Sequence, residues 1–128
     1  MNIVPSHKHD LEACSRLQDA SIAEVEEHLV ELLVWLQDIN WPVAAHVVNK
    51  LQNCGKALIE PVSNILYGDD GTWKYFIISN FLPNVNSEVW AAIKPHVERL
   101  VNEPSAVDIQ EEVNIVAEEL IMEKLNNA

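Results

Sequence analysis

Four consecutive residues, His7-Lys8-His9-Asp10, bring two imidazoles and a carboxylate together, which is the donor chemistry of a metal centre. His7 and His9 alone supply two ligands on one short segment, which makes no defined site. Asp10 is therefore expected as a helix N-cap, and no metal is expected. Cys14 and Cys54 stand forty residues apart, neither in a C-x-x-C. A cysteine nucleophile needs a base and an orienting partner. These two fall at core spacing or at a helix end, so both are expected to be buried, reduced thiols. No H-E-x-x-H occurs, and His28, His46 and His96 fall on three different predicted helices, where each reads as a surface histidine. The three glycines, at 55, 68 and 71, form no phosphate loop. The many carboxylate pairs read as a solvated acidic face. No catalytic residue and no cofactor is expected.

A different pattern suits binding. Gln37-Asp38-Ile39-Asn40-Trp41 and Gly68-Asp69-Asp70-Gly71-Thr72-Trp73 are turns that each place carboxylates a few residues before a tryptophan. Stacked side by side, they would gather Asp38, Asn40, Trp41, Asp69, Asp70, Trp73 and Lys74 on one ridge. Carboxylates beside indole faces suit an Arg or Lys side chain, through ion pairing and a cation–π attraction of ~0.5–2 kcal/mol. The competing reading is that Asn40 and Asp70 cap helices while both tryptophans fill the core behind them.

The overall charge favours the same class of partner. Lys plus Arg is 8 against 20 Asp plus Glu, a net −12. Nucleic-acid affinity rests on clustered cations, and an anionic membrane surface would repel this chain. Neither is expected as a partner; a protein with a cationic segment is. Acidity also serves solubility alone. The N-terminus has no apolar core of signal length, and the longest apolar run, Leu32 to Leu36, is far short of the ~20 residues of a membrane span. A cytoplasmic location is expected.

The elements that must position these residues read as helices throughout, in one domain over residues 1–128. A short helix begins near Asp10 and turns Leu11, Cys14 and Leu17 inward. Ser21 and Glu24 form a capping box for a helix carrying Ile22, Val25, Leu29, Leu32, Leu33 and Leu36. Pro42 opens a helix that buries Ala44, Val47, Val48 and Leu51. Lys56 to Tyr67 presents Leu58, Val62, Ile65 and Leu66. Thr72 to Leu82 is apolar almost all round (Trp73, Tyr75, Phe76, Ile77, Ile78, Phe81, Leu82), the mark of a centrally buried helix. Ser87 caps a helix reaching Val101. Ser105 or Asp108 caps the last, with Ile109, Val113, Val116, Leu120 and Met122 inward.

Two stretches repeat. Leu58-Ile59-Glu60-Pro61-Val62 matches Ala92-Ile93-Lys94-Pro95-His96 at an offset of 34, and Asn40-Trp41-Pro42-Val43 echoes Thr72-Trp73-Lys74-Tyr75 at 32. A proline at matched places inside two helices would kink both alike. Periods of this size signal arrays of helix pairs. The expected fold is all-α: a short right-handed α-α superhelix of about three pairs, near 21–54, 56–82 and 87–125, with an N-terminal capping helix.

This pattern resembles HEAT-like repeats. More narrowly, Lys8-His9-Asp10-Leu11-Glu12-Ala13, Trp35-Leu36-Gln37-Asp38-Ile39-Asn40-Trp41-Pro42 and Gly68-Asp69-Asp70 with Trp73-Lys74-Tyr75 resemble a bacterial family, domain of unknown function 5071. The resemblance spans roughly residues 5 to 125. It implies a helical-repeat fold and a bacterial context, and no activity or catalytic residue. HEAT-like metal hydroxylases use recurrent His-Glu pairs, and the one adjacent pair here, Glu27-His28, runs in reverse. HEAT-like DNA glycosylases need a basic concave face, which the charge opposes. The expected function is a non-enzymatic protein-binding module, an adaptor or an immunity-type inhibitor of a cationic toxin. The alternative is a HEAT-like lyase or a chaperone-type enzyme accessory.

The absence of a basic cluster has a direct consequence. In a mobility-shift assay with duplex DNA at micromolar protein and about 150 mM salt, no specific complex should form.

Overall fold

Short polar side chains start most of the helices, because the first amides of a helix have no partner within it. Asp10 accepts from the Ala13 amide at 3.2 Å, Ser21 from Glu24 at 3.2 Å, Asp70 from Trp73 at 3.0 Å, Asn86 from Val89 at 2.9 Å and Ser105 from Asp108 at 3.1 Å. The cap of the helix Ser87–Asn102 is thus Asn86, one residue before the expected Ser87. The computed structural model describes residues 2–127. Among them it contains nine α-helices and no strand: α1 (Leu11–Asp19), α2 (Ile22–Glu26), α3 (Leu29–Leu33), α4 (Ala44–Leu51), α5 (Ile59–Tyr67), α6 (Gly71–Phe76), α7 (Ser87–Asn102), α8 (Ala106–Gln110) and α9 (Val113–Asn126).

Several expected helices are broken where the apolar spacing gives no warning. The stretch from Ser21 divides at His28, whose backbone leaves the helical region (φ −123°, ψ 18°). The Glu27 and His28 amides bond three residues back, to Glu24 and Val25, which tightens the turn and leaves the spacing of Val25, Leu29 and Leu32 intact. After Phe76 the winding widens to a π turn over Ile77–Phe81 and tightens again over Leu82–Asn84. Ile77, Ile78, Phe81 and Leu82 are wholly buried there, whereas Trp73, Tyr75 and Phe76 are only half-buried and Ser79 and Asn80 face solvent. The element therefore has an outer face. The last helix does not run from Ser105: a one-turn α8 ends at Gln110, and Glu112 takes a left-handed conformation (φ 61°) before α9. Leu11, Ile109 and Met122, expected inward, are each more than half exposed: Leu11 opens α1, Ile109 lies on the one-turn α8, and Met122 sits about 200° around α9 from the buried Leu120.

The two repeated prolines are not equivalent. Pro61 is the third residue of α5, within the first turn, where a missing amide costs little. Pro95 lies inside α7 and forfeits a bond.

The helices pack with α3 on α4, α5 on α6 and α7 on α9, and with α5 against α7 and α1 against α4. One core cluster runs through them, from Ile3 to Leu120. Cations fasten several joints. The Lys50 ammonium donates to the Gln18 and Ala20 carbonyls at the end of α1, at 2.8 and 2.7 Å. Arg99 donates to the Leu66 carbonyl at the end of α5 at 3.0 Å, its guanidinium 4.4 Å from the Tyr67 ring centre. Lys124 reaches the Pro83 carbonyl at 2.9 Å, and Arg16 the Asn2 carbonyl at 2.6 Å. No helix among the described residues is long and apolar enough to cross a membrane.

Burial ranks the central element. Ile77→Ala and Phe81→Ala should each cost about 2–5 kcal/mol in chemical denaturation, and the half-buried Phe76→Ala clearly less. Equal losses at positions 76 and 81 would contradict this outer face.

Candidate functional site

Trp73 is set by its neighbours on α6. Asp70 caps the helix through the Trp73 amide, and the indole Nε1 donates to the Leu33 carbonyl at 3.1 Å, at the end of α3. Gly68 closes α5 by donating to the Ile65 carbonyl at 3.0 Å. Between α3, α5 and this turn lies a hollow of about 260 Å3, with Leu33, Pro61, Ile65 and Trp73 as its apolar walls and Asp69 and Asp70 at one end. Val30 stands over it, 69% exposed. A second hollow of about 410 Å3 shares Val30, Pro61 and Asn64 and is bounded by Glu26, Glu27, Glu31 and Glu60. Together they form one groove along α2–α3 and α5, apolar in the middle and acidic at both ends. No lysine or arginine lines either part.

The expected ridge is brought together only in part. Asp69, Asp70 and Trp73 line the groove; Asp38, Asn40 and Trp41 do not. Asp38 accepts from the Asn40 amide at 2.9 Å, so it shapes its own turn and Asn40 caps nothing by its side chain. Trp41 is half-buried, edge-on to Trp35 with ring centres 5.5 Å apart. Lys74 is not at the surface. Its ammonium lies 2.7 Å from the Asp108 carboxylate, the side chains 4% and 1% exposed. Asp108 also accepts from the Ser105 amide at 2.9 Å, completing the capping box of α8. Burial alone pushes the Asp108 carboxyl up. The Lys74 hydrogen bond, those from Ser105 and the Lys74 charge outweigh it and hold the carboxyl below the usual range.

The residues that sequence reasoning missed are Val30, the carboxylates Glu26, Glu31 and Glu60, and the groove-facing role of Pro61. Val30 carried a signal, since it is an apolar residue out of phase with Val25, Leu29 and Leu32, among Glu27, His28 and Glu31.

Elsewhere the chemistry is quiet. Both thiols are free and buried. Burial first, then the charge of Glu26, pushes Cys54 up to about 11; burial and then Asp10 raise Cys14. No group of three or more His, Cys, Asp or Glu able to hold a metal ion occurs among the described residues. Asp10 is occupied as a cap, also accepting from the Ser6 amide and hydroxyl at 2.9 and 3.0 Å.

The family model of the domain of unknown function DUF5071 matches residues 3–121, and the chain belongs to that family. No curated protein matches the chain.

The buried pair yields a stability prediction with a definite sign. Lys74→Met strands a buried carboxylate and should cost about 3–5 kcal/mol, while Lys74→Met/Asp108→Asn should recover a good part of that loss. The Asp108 carboxyl is depressed in the folded state. Its contribution is therefore complete above the unfolded carboxylate value (about 3.9) and is lost as pH falls through the folded one. Asp108→Asn should flatten this acid limb in denaturation curves measured from pH 7 to pH 2.

Proposed function

We propose that this protein is a non-enzymatic binding module that seats a cationic, apolar-anchored segment of another protein in the groove along α2–α3 and α5. The observation that carries the reading is the coincidence of an exposed apolar strip with carboxylates at both ends and no lining cation. A solvated acidic face would not need the strip, and a simple packing defect would not need the charges.

The two features divide the work by magnitude. Filling the strip around Val30 with a leucine- or phenylalanine-sized side chain is worth about 1.5–3 kcal/mol. Each exposed ion pair adds only about 0–1 kcal/mol. Affinity would come from the anchor, and partner choice and encounter rate from the charges. Trp73 lines the groove with its N–H already engaged, so what it would offer an arginine or lysine is its ring.

The reading fits an adaptor or an immunity-type inhibitor of a cationic toxin, acting in the cytoplasm, where two unpaired thiols are stable. The helix-pair packing suits a HEAT-like superhelix. A lyase or chaperone-type accessory that used a reactive cysteine is less favoured, since burial keeps both thiols protonated.

A defined peptide tests this. A labelled amphipathic peptide with a Leu/Phe stripe flanked by arginines should bind with a Kd on the order of micromolar, weakening as salt rises. The same peptide with glutamates for arginines should not bind. Val30→Asp/Asp69→Lys should weaken binding at least tenfold at an unchanged Tm. If the acidic peptide binds as well, or the variant keeps full affinity, the groove is not the site.

A further inference from the structure

A second cavity has the opposite chemistry. Ser87, Trp90 and Lys94 recur on one face of α7, and Ile121, Lys124 and Leu125 on one face of α9. Where these faces diverge they line a cavity of about 390 Å3. That lies within the roughly 300–1,000 Å3 of small-molecule sites. No carboxylate lines it, although acidic residues outnumber basic ones 20 to 8 in the chain, and two of those eight cations do.

The two ammonium groups are placed differently. The Lys124 Nζ is held by the Pro83 carbonyl at 2.9 Å and stands 5.4 Å from the Trp90 ring centre. An ammonium has three N–H donors, so Lys124 keeps capacity for an anion. Lys94 forms no ion pair among the described residues. Apolar surface surrounds these charges: Trp90 and Ile121 are half-buried, and Leu125 is 62% exposed.

We propose that the α7–α9 cavity binds a small amphipathic anion, a carboxylate on an apolar body. The carboxylate lies between Lys94 and Lys124, and the body covers Trp90, Ile121 and Leu125. The N-terminal end of α7, at Ser87, adds a favourable dipole, partly opposed by the C-terminal end of α9. The net charge does not forbid this. At physiological salt, charges more than ~8 Å away are largely screened, and the nearest lining charges are cations. This cavity shares no residue with the groove.

The test uses the intact protein and three probes of equal chain length, decanoate, decanol and decyltrimethylammonium, below their micelle concentrations, followed by amide and indole NMR shifts. Decanoate should move the Trp90 indole and the Leu125 amide and bind at least tenfold more tightly than decanol, with the cation weakest. Lys94→Gln, a half-exposed position, should bring decanoate close to decanol at an unchanged Tm. Equal binding of decanoate and decanol, full decanoate affinity in Lys94→Gln, shifts confined to Val30 and Trp73, or no saturable binding each overturns the proposal.

Discussion

The ends of helices leave carbonyls without partners, and this chain has little glycine to turn them back on themselves. It uses cations instead. Lys50 closes α1 and Arg99 closes α5, while Lys124 holds the turn at Pro83. Arg16 ties down the N-terminal segment through Asn2, and Lys74 is sealed against Asp108. These are five of the chain's eight basic residues. Of the others, Lys56 makes an exposed pair with Glu88 at 3.5 Å. Only Lys74 leaves the surface, and it takes the Asp108 charge with it, so the surface keeps the chain's net −12.

The Lys74–Asp108 pair decides how the groove wall stands. Trp73 and Lys74 are adjacent, about 100° apart around α6, so the buried ammonium fixes the rotation of the helix and with it the indole. Gly71 completes the joint. A Cβ there would come within 2.7 and 2.9 Å of the Glu111 side chain and 3.1 Å of Val107, so only glycine lets α8 lie this close. Residues 71 and 74 on one element and 107, 108 and 111 on the other interlock at spacings that a helix puts on one face. Replacing the ion pair by apolar groups could preserve stability. It would not by itself preserve the capping box, which uses the same carboxylate.

How far the sequence revealed this depends on the kind of signal. Caps are local, so Asp10, Ser21, Asp70 and Ser105 were readable from single residues and their followers. The core was readable from spacing: Val25, Leu29, Leu32, Leu33 and Leu36 are all buried. Breaks that preserve spacing were hidden, at His28 and in the π turn after Phe76. Leu11 at a helix start, Ile109 on the one-turn α8 and Met122 on the outer face of α9 were apolar without being inward. The burial of Lys74 depends on a partner 34 residues away and on no local pattern, although a lone cation within Trp73–Ile78 is itself a sign that something must neutralise it. The groove was half legible. Asp69, Asp70 and Trp73 come from one turn, but their apolar companions come from α3 and α5, which only packing brings together.

The groove's own hydrogen bonds set what each wall can offer. At the Trp73 end, one Asp70 oxygen is engaged by the capping amide and the indole N–H by Leu33, so Asp69 is the carboxylate left unencumbered. At the other end stand Glu26, Glu27, Glu31 and Glu60, and Glu31 lies 3.7 Å from His28 Nδ1. The electrostatic pull on a cationic segment is therefore unequal along its length. It is strongest beside α2 and the start of α5, while the Trp73 end contributes shape and a ring face. On the proposed reading, the end bearing four carboxylates would take the more cationic part of an occupant, and the Trp73 end a single basic residue against Asp69 and the ring.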